Sequence, residues 1–422
     1  MHIKYKIMLV FIFFQLNFIL NFKLQARENK ISLPELIKLA QNNSLEIEKT
    51  REHLKVLKYK KNSLYGHYLP KLSLESVLQE TQYENQKEFS NAFFGKIDWN
   101  LYAGGIDSNS IDKTNIEINF YEQKIIHQNN RIKNHVSQIY IEILYLKTVE
   151  SLYKQAIEDN NKQKQIANSQ KRSGLITETD TLEFILRSSI LDSDLILLQQ
   201  QLKQKIQELT FIVFQTNQNH IDFKFNQLSR IATSMNREEL VAKLQKFNQI
   251  TSESRLQETL VEFEKRDIKA SFHPKVNLET IYGQLPVDRD QNQTKNNYEL
   301  SLKITIPLFS GFSDYNLTRS LFYQQKTLIN DSQSEIFQSF ETLDKLINEI
   351  NYLNSRIDLE EKNIELTKKY LRLTKQEYLR GTKSSSDIIS SAERALNAQV
   401  KYFEIIRDLI ITDLKIKDLI GD

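Results

Sequence analysis

The side chains best placed to do chemistry sit in two matching turns. Three residues after Gly174 comes Thr177-Glu178-Thr179-Asp180, and three after Gly381 comes Ser384-Ser385-Ser386-Asp387. A hydroxyl followed three positions later by an acid has the form of a helix-capping box. The glycine before it suits the left-handed residue that closes the preceding helix. Arg172 and Arg380 fall in that preceding last turn, where a cation complements the helix dipole. The chemistry expected at these acids is charge at helix ends, not proton transfer. Nothing else in the chain is arranged for catalysis. The seven histidines, among them His53, His67, His127, His135, His220 and His273, form no HExxH or other ligand spacing. Gly104-Gly105 has no following GK[ST], so it is no phosphate loop and reads as a bend from strand into helix. The carboxylates belong to helix faces without pairing. With no cysteine, disulfides, thiol catalysis and Cys-ligated zinc are excluded. The spacings give no reason to expect an enzyme, a metal or a cofactor.

The elements that carry these turns follow from composition. The 422 residues include 9 Gly and 5 Pro, about 3% together, against roughly 12% in average proteins. So few turn formers cannot punctuate several compact α/β domains, and long helices with few corners are expected. Lys+Arg 57 against Asp+Glu 54 gives a net charge of +3 with both signs interspersed. That is a solvated helix face, not the clustered basic patch of a nucleic-acid binder. Residues 1–26 join basic residues up to Lys6 to an apolar run from Ile7 to about Leu20, then end at Ala26. This matches a secretory signal, and the run is short of the ~20 residues a spanning helix needs. No later stretch is apolar enough to cross a bilayer as a helix, so any membrane span must use strands.

Three segments recur at nearly constant offset. Leu69-Pro70-Lys71-Leu72 answers to His273-Pro274-Lys275-Val276, shifted by 204. Leu101-Tyr102-Ala103-Gly104 answers to Leu308-Phe309-Ser310-Gly311, and Gly174 with Asp180 to Gly381 with Asp387, each shifted by 207. Repeats in register at such a period mark a tandem duplication. The expected organisation is a signal over 1–26 and two repeats, 27–220 and 221–422, each ordered helix, strand pair, long helix, tight turn, helix. Residues 33–66 and 237–271 are expected to be helical, with Pro34 in a first turn. Residues 107–172 and 313–380 lack Gly and Pro and carry a heptad-like seam such as Ile132, Val136, Ile139, Ile143 and Leu146. Each would span roughly 100 Å, as long as two of the shorter helices end to end.

Strands are expected between these helices. Tyr298, Leu300, Leu302, Ile304, Ile306 and Leu308 alternate with Glu299, Ser301, Lys303 and Thr305. In the first half Phe93, Ile97, Trp99 and Leu101 share one face, and Leu72, Leu74 and Leu78 begin the partner strand. About 11 tilted residues cross the hydrocarbon of a bilayer. A soluble sheet on a helical core would alternate likewise, but no helical layer is evident to cover these strands. In lipid, open strand edges cost several kcal/mol per unpaired group. Barrels begin at about eight strands, so four strands per chain demand an oligomer, of two copies or three.

Leu33-Pro-Glu-Leu-Ile-Lys-Leu-Ala40, Leu69-Pro-Lys-Leu72, Leu101-Tyr-Ala-Gly-Gly105, Pro307-Leu-Phe-Ser-Gly311 and the two tip turns, in this order and duplicated, resemble the TolC-like outer-membrane efflux proteins. The fold class this implies is mainly α with a small β part. Long coiled-coil hairpins would form a periplasmic α-barrel, and a homotrimer would complete a twelve-stranded β-barrel in outer-membrane lipid. Residues 215–236 and the chain from about Lys415 would lie near a mid-length belt. The resemblance implies an exit duct for a tripartite efflux pump or type I secretion, partnered by a periplasmic adaptor and an inner-membrane transporter. It also implies a gate at the tips, with Tyr378 and Lys383 facing Thr179 and Asp180 in a latch and Asp387 in an acidic ring. Ser390 stands where a second ring acid is expected, and Phe312 where many members have Gly. The strand-to-helix bends are expected at Gly104, Gly105, Pro307 and Gly311. An exported coiled-coil scaffold or adhesin would use the same heptads but would have no need of the alternating strands.

Overall fold

The computed structural model describes residues 31–83, 86–215, 236–284 and 296–422. The expected signal at 1–26 and nearly all of 215–236 lie outside the described residues. In chain order the elements are α1 (Leu33–Asn43), α2 (Leu45–Tyr65), β1 (Lys71–Tyr83), β2 (Gln86–Ala103), α3 (Ile106–Arg172), α4 (Glu178–Phe214), α5 (Arg237–Thr251), α6 (Glu253–Ser271), β3 (Lys275–Gln284), β4 (Asn296–Thr305), α7 (Ser313–Leu379) and α8 (Ser385–Ile420). A short 3-10 turn, Gly66–Tyr68, joins α2 to β1.

The two long helices run as expected, 67 residues each, or about 100 Å. The expected single helices over 33–66 and 237–271 are instead each broken in two. At Ser44 (φ −67°, ψ 114°) and Ser252 (φ −66°, ψ 118°) the backbone leaves the helical region. Each serine then caps the next helix: Ile47 N–H donates to Ser44 Oγ at 3.3 Å and Arg255 N–H to Ser252 Oγ at 3.2 Å. A serine competes with the helix ladder through its own hydroxyl, which is why a break occurs without Gly or Pro.

The four strands form one antiparallel sheet in chain order, β1-β2-β3-β4. Leu72 pairs with Ile97, Ile97 with Thr280, and Thr280 with Leu300, so one face is continuous and apolar. Leu72, Leu74, Leu300, Leu302 and Ile304 are exposed on it. The opposite face is polar, with Lys96 paired to Glu279 at 3.2 Å. The expected strand to Leu308 stops at Thr305. Pro307 cannot donate to a ladder, and Gly311 (φ 66°) and Phe312 (φ 64°) then turn the chain into α7.

Gly104 (φ 73°) and Gly105 (φ 92°) make the same turn into α3. A Cβ on Gly104 would meet the Ala270 carbonyl at 2.5 Å, so close approach as well as backbone conformation selects glycine there.

The main core lies midway along the rod, where α1 and α5 rest against α3, α4, α7 and α8. Leu36, Ile143, Leu209, Leu244, Leu343 and Ile405 are among its buried side chains. Among the described residues, no helix is long and apolar enough to cross a membrane.

Candidate functional site

The two tip turns lie at the end of the rod away from the sheet, and local sequence builds both. Gly174 (φ 71°) and Gly381 (φ 78°) are left-handed. Leu175 N–H donates to Gln170 O at 2.9 Å and Gly174 N–H to Lys171 O at 3.0 Å. Thr382 N–H likewise reaches Glu377 O at 3.0 Å and Gly381 N–H reaches Tyr378 O at 2.9 Å. Both are Schellman closures, which satisfy carbonyls at a helix end.

The acids close the next helices. Thr177 N–H and Oγ1 donate to Asp180 Oδ2 at 3.0 and 2.7 Å, and Asp180 N–H donates back to Thr177 Oγ1 at 3.3 Å. Ser384 N–H and Oγ both donate to Asp387 Oδ2 at 2.9 Å, and Asp387 N–H returns to Ser384 Oγ at 3.2 Å. The Thr177 hydroxyl and then its backbone hold the Asp180 carboxyl below its ordinary value, with Ser385 of the other turn adding to the effect. The Ser384 backbone and hydroxyl, and then Lys383, do the same for Asp387 in the single chain. Lys383 Nζ stands 3.8 Å from Asp387.

A carboxylate held low stabilises the fold above its unfolded value, and that stabilisation is lost as pH falls through the lower folded value. Thr177→Ala should therefore cost about 1 kcal/mol at neutral pH and speed amide exchange in the first turn of α4. The gap from wild type should narrow as pH drops below the usual carboxylate range, leaving the part due to the Asp180 N–H bond to Thr177 Oγ1; equal exchange at pH 7 would show that the cap is idle.

Of the residues expected to form a latch, Asp180 is held in its own capping box and Tyr378 packs inside the tip of the single chain. Tyr378 is buried in a small cluster with Ala167, Phe184 and Ile388, edge-on to Phe184 at 6.3 Å between ring centroids. Its hydroxyl is buried without a hydrogen-bond partner. Thr179 is exposed.

Sequence reading missed Phe184, fully buried at the tip, and Arg187, which reaches Glu393 at 3.6 Å between α4 and α8. The apolar positions of α4 carry no mark of which one meets Tyr378 across the fold. It also missed Glu183, whose carboxyl is pushed up by burial and then by the nearby Asp180 charge. Above this cluster a cavity of about 280 Å³ opens between α3, α4, α7 and α8, bordered by Asp159, Asn160, Arg187, Lys375 and Gln399. Among the described residues no group of His, Cys, Asp and Glu could hold a metal ion.

A model of the family described as outer membrane efflux protein matches residues 266–422. No curated protein sequence matches the chain. Among solved structures, the outer membrane protein VceC of Vibrio cholerae superposes with a TM-score of 0.77 at 15% identity, covering 92% of this chain and 96% of that one. The CmeC outer membrane channel of Campylobacter jejuni gives 0.72 at 13%, covering 92% and 85%. The open-state MtrE outer membrane channel of Neisseria gonorrhoeae gives 0.74 at 12%, covering 92% and 88%. These likenesses establish the fold across nearly the whole chain.

Proposed function

Because residues 266–422 match the outer membrane efflux protein model and 92% of the chain shares the fold of the outer membrane protein VceC, we propose that it is a TolC-like passive outer-membrane duct. In this reading it serves a tripartite efflux pump or a type I secretion system. The observation that carries the reading is the sheet. Its apolar face is exposed, and its outer strands β1 and β4 each pair on one side only. In lipid such edges must be closed by further strands. Three copies would supply twelve strands around a common axis, with the helices continuing as a tube into the periplasm. The chain divides into two repeats, 27–220 and 221–422, behind a signal at 1–26. A periplasmic adaptor and an inner-membrane transporter would engage the tips.

At the tips, Tyr378 and Lys383 would work against Thr179 and Asp180 to keep the duct shut, with Gly174 and Gly381 as the turning points. Around a threefold axis Asp387 would face its own copies, and like charges would raise the carboxyl values that the capping box lowers in one chain. An acidic ring favours cations.

The test is conductance in planar bilayers. The purified protein should run as an SDS-resistant oligomer and open cation-preferring pores, and Asp387→Asn should shift the reversal potential in a salt gradient toward zero. A soluble monomer without conductance would sink the duct reading. Unchanged reversal potentials would remove Asp387 from the ring.

A further inference from the structure

The chain contains a template for its own partner. α3 follows left-handed Gly105 and α7 follows left-handed Phe312, so each position of α3 has its counterpart 207 residues later in α7. Measured from the first strand residues, Lys71 and Lys275, each position of α6 has its counterpart 204 residues earlier in α2.

Within the chain α3 docks antiparallel on α6. Asn109 Nδ2 donates to Phe263 O at 2.9 Å and also to Asp267, Lys113 reaches Glu264 at 3.4 Å, and Lys124 pairs with Glu253. Leu260 and Phe263 of α6 are 8% and 7% exposed. The equivalent contact, α7 on α2, is not among the packed pairs of the described helices. Val56 and Tyr59, the counterparts of Leu260 and Phe263, are 59% and 75% exposed. The counterparts of Lys124 and Glu253 are Asp331 and Lys49, both exposed. The pair is again of opposite charge, with the signs exchanged between helices. Apolar residues at the positions that α3 covers on α6, and a complementary pair at the place of an existing ion pair, are what a matching contact requires.

The same holds nearer the tips. α3 docks on α8 with the Arg407 guanidinium 4.4 Å from the Tyr145 ring centroid. Transferred to α7 on α4, this register sets Tyr352 opposite Gln200. Along the antiparallel pair it then sets Leu366 opposite Leu186 and Tyr370 opposite Leu182, all four of them exposed.

We propose that a second copy of this chain covers α2 and α4 with its α7, in the register that α3 keeps with α6 and α8, so that Lys49 of one copy pairs with Asp331 of the next. The proposal rests on the oligomeric reading above but adds a residue-level register to it. A lone charge pair on an exposed face is worth little; the specificity comes from the apolar seam, and the pair marks its register.

The absence of cysteine makes the test direct. K49C/D331C should form an intermolecular disulfide under mild oxidation, giving a reducible ladder of dimer and trimer in denaturing gels. K124C/E253C should close only within one chain. K49C/Q338C, displaced along α7 by roughly 10 Å, exceeds the Cα separation a disulfide tolerates and should stay uncrosslinked. D331K should lower the temperature at which the SDS-resistant oligomer dissociates, and K49D/D331K should restore it. If K49C/D331C fails to crosslink while the oligomer and its conductance persist, the register is wrong and the duct stands. If no oligomer forms while K124C/E253C still closes within a folded chain, both fail.

Discussion

Gly104→Val is expected to prevent a stable junction between β2 and α3. The left-handed backbone at φ 73° costs an L-residue roughly 1–2 kcal/mol. The new Cβ would also stand 2.5 Å from the Ala270 carbonyl, and such overpacking adds roughly 1–3 kcal/mol. Together these amount to about 2–5 kcal/mol, a large share of a typical folding free energy. Gly105→Ala is the control. Its φ of 92° carries the backbone penalty, but nothing lies within 4 Å of the added carbon, so only about 1–2 kcal/mol is expected. Thermal dissociation of the purified oligomer measures both. Equal losses would show that the approach of Ala270 has no role.

Leu302→Arg should block membrane assembly, whereas Ser301→Arg should not. Leu302 is exposed on the apolar face and pairs with Leu278. A cation facing lipid near the bilayer midplane costs about 2–4 kcal/mol. Ser301 points to the other face, where its partner across the ladder is Glu279, which would welcome the positive charge. The measurement is the fraction of protein recovered in the outer-membrane fraction as oligomer. Similar recovery for both variants would mean that the face assigned to lipid is not.

These substitutions separate features by how local their causes are. The long helices were legible because 67 residues without Gly or Pro leave no other option, and the tip turns because a Schellman glycine and a capping box act over six or seven residues. The faces of the strands were legible because alternation has a period of two. The breaks at Ser44 and Ser252 were not, since serine is common inside helices and caps only when the next turn offers it an N–H. β4 ends at Thr305 and not at Leu308 because Pro307 has no N–H for the ladder, although the apolar alternation continues past it.

At the candidate site the division is sharper. Asp180 and Asp387 were readable as acids at helix starts, and they bond as such. The resemblance assigns Tyr378 to a latch, but no spacing shows that within one chain its ring packs against Phe184. Those residues come from helices joined only through the far turns of the chain, so no spacing links them. The Arg187–Glu393 bridge between the two hairpins is equally invisible along the sequence.

By itself, the sequence determined the helices, the turns and the two-faced strands, because each depends on interactions between residues a few positions apart. It also determined the duplication, since a copied segment repeats its local pattern. Only the tertiary structure decided which half of that pattern is satisfied within one chain. Among the described residues α3 packs on α6 and α8, while α7 makes no equivalent packed contact with α2 or α4, because which helices meet depends on residues hundreds of positions apart that no local pattern links.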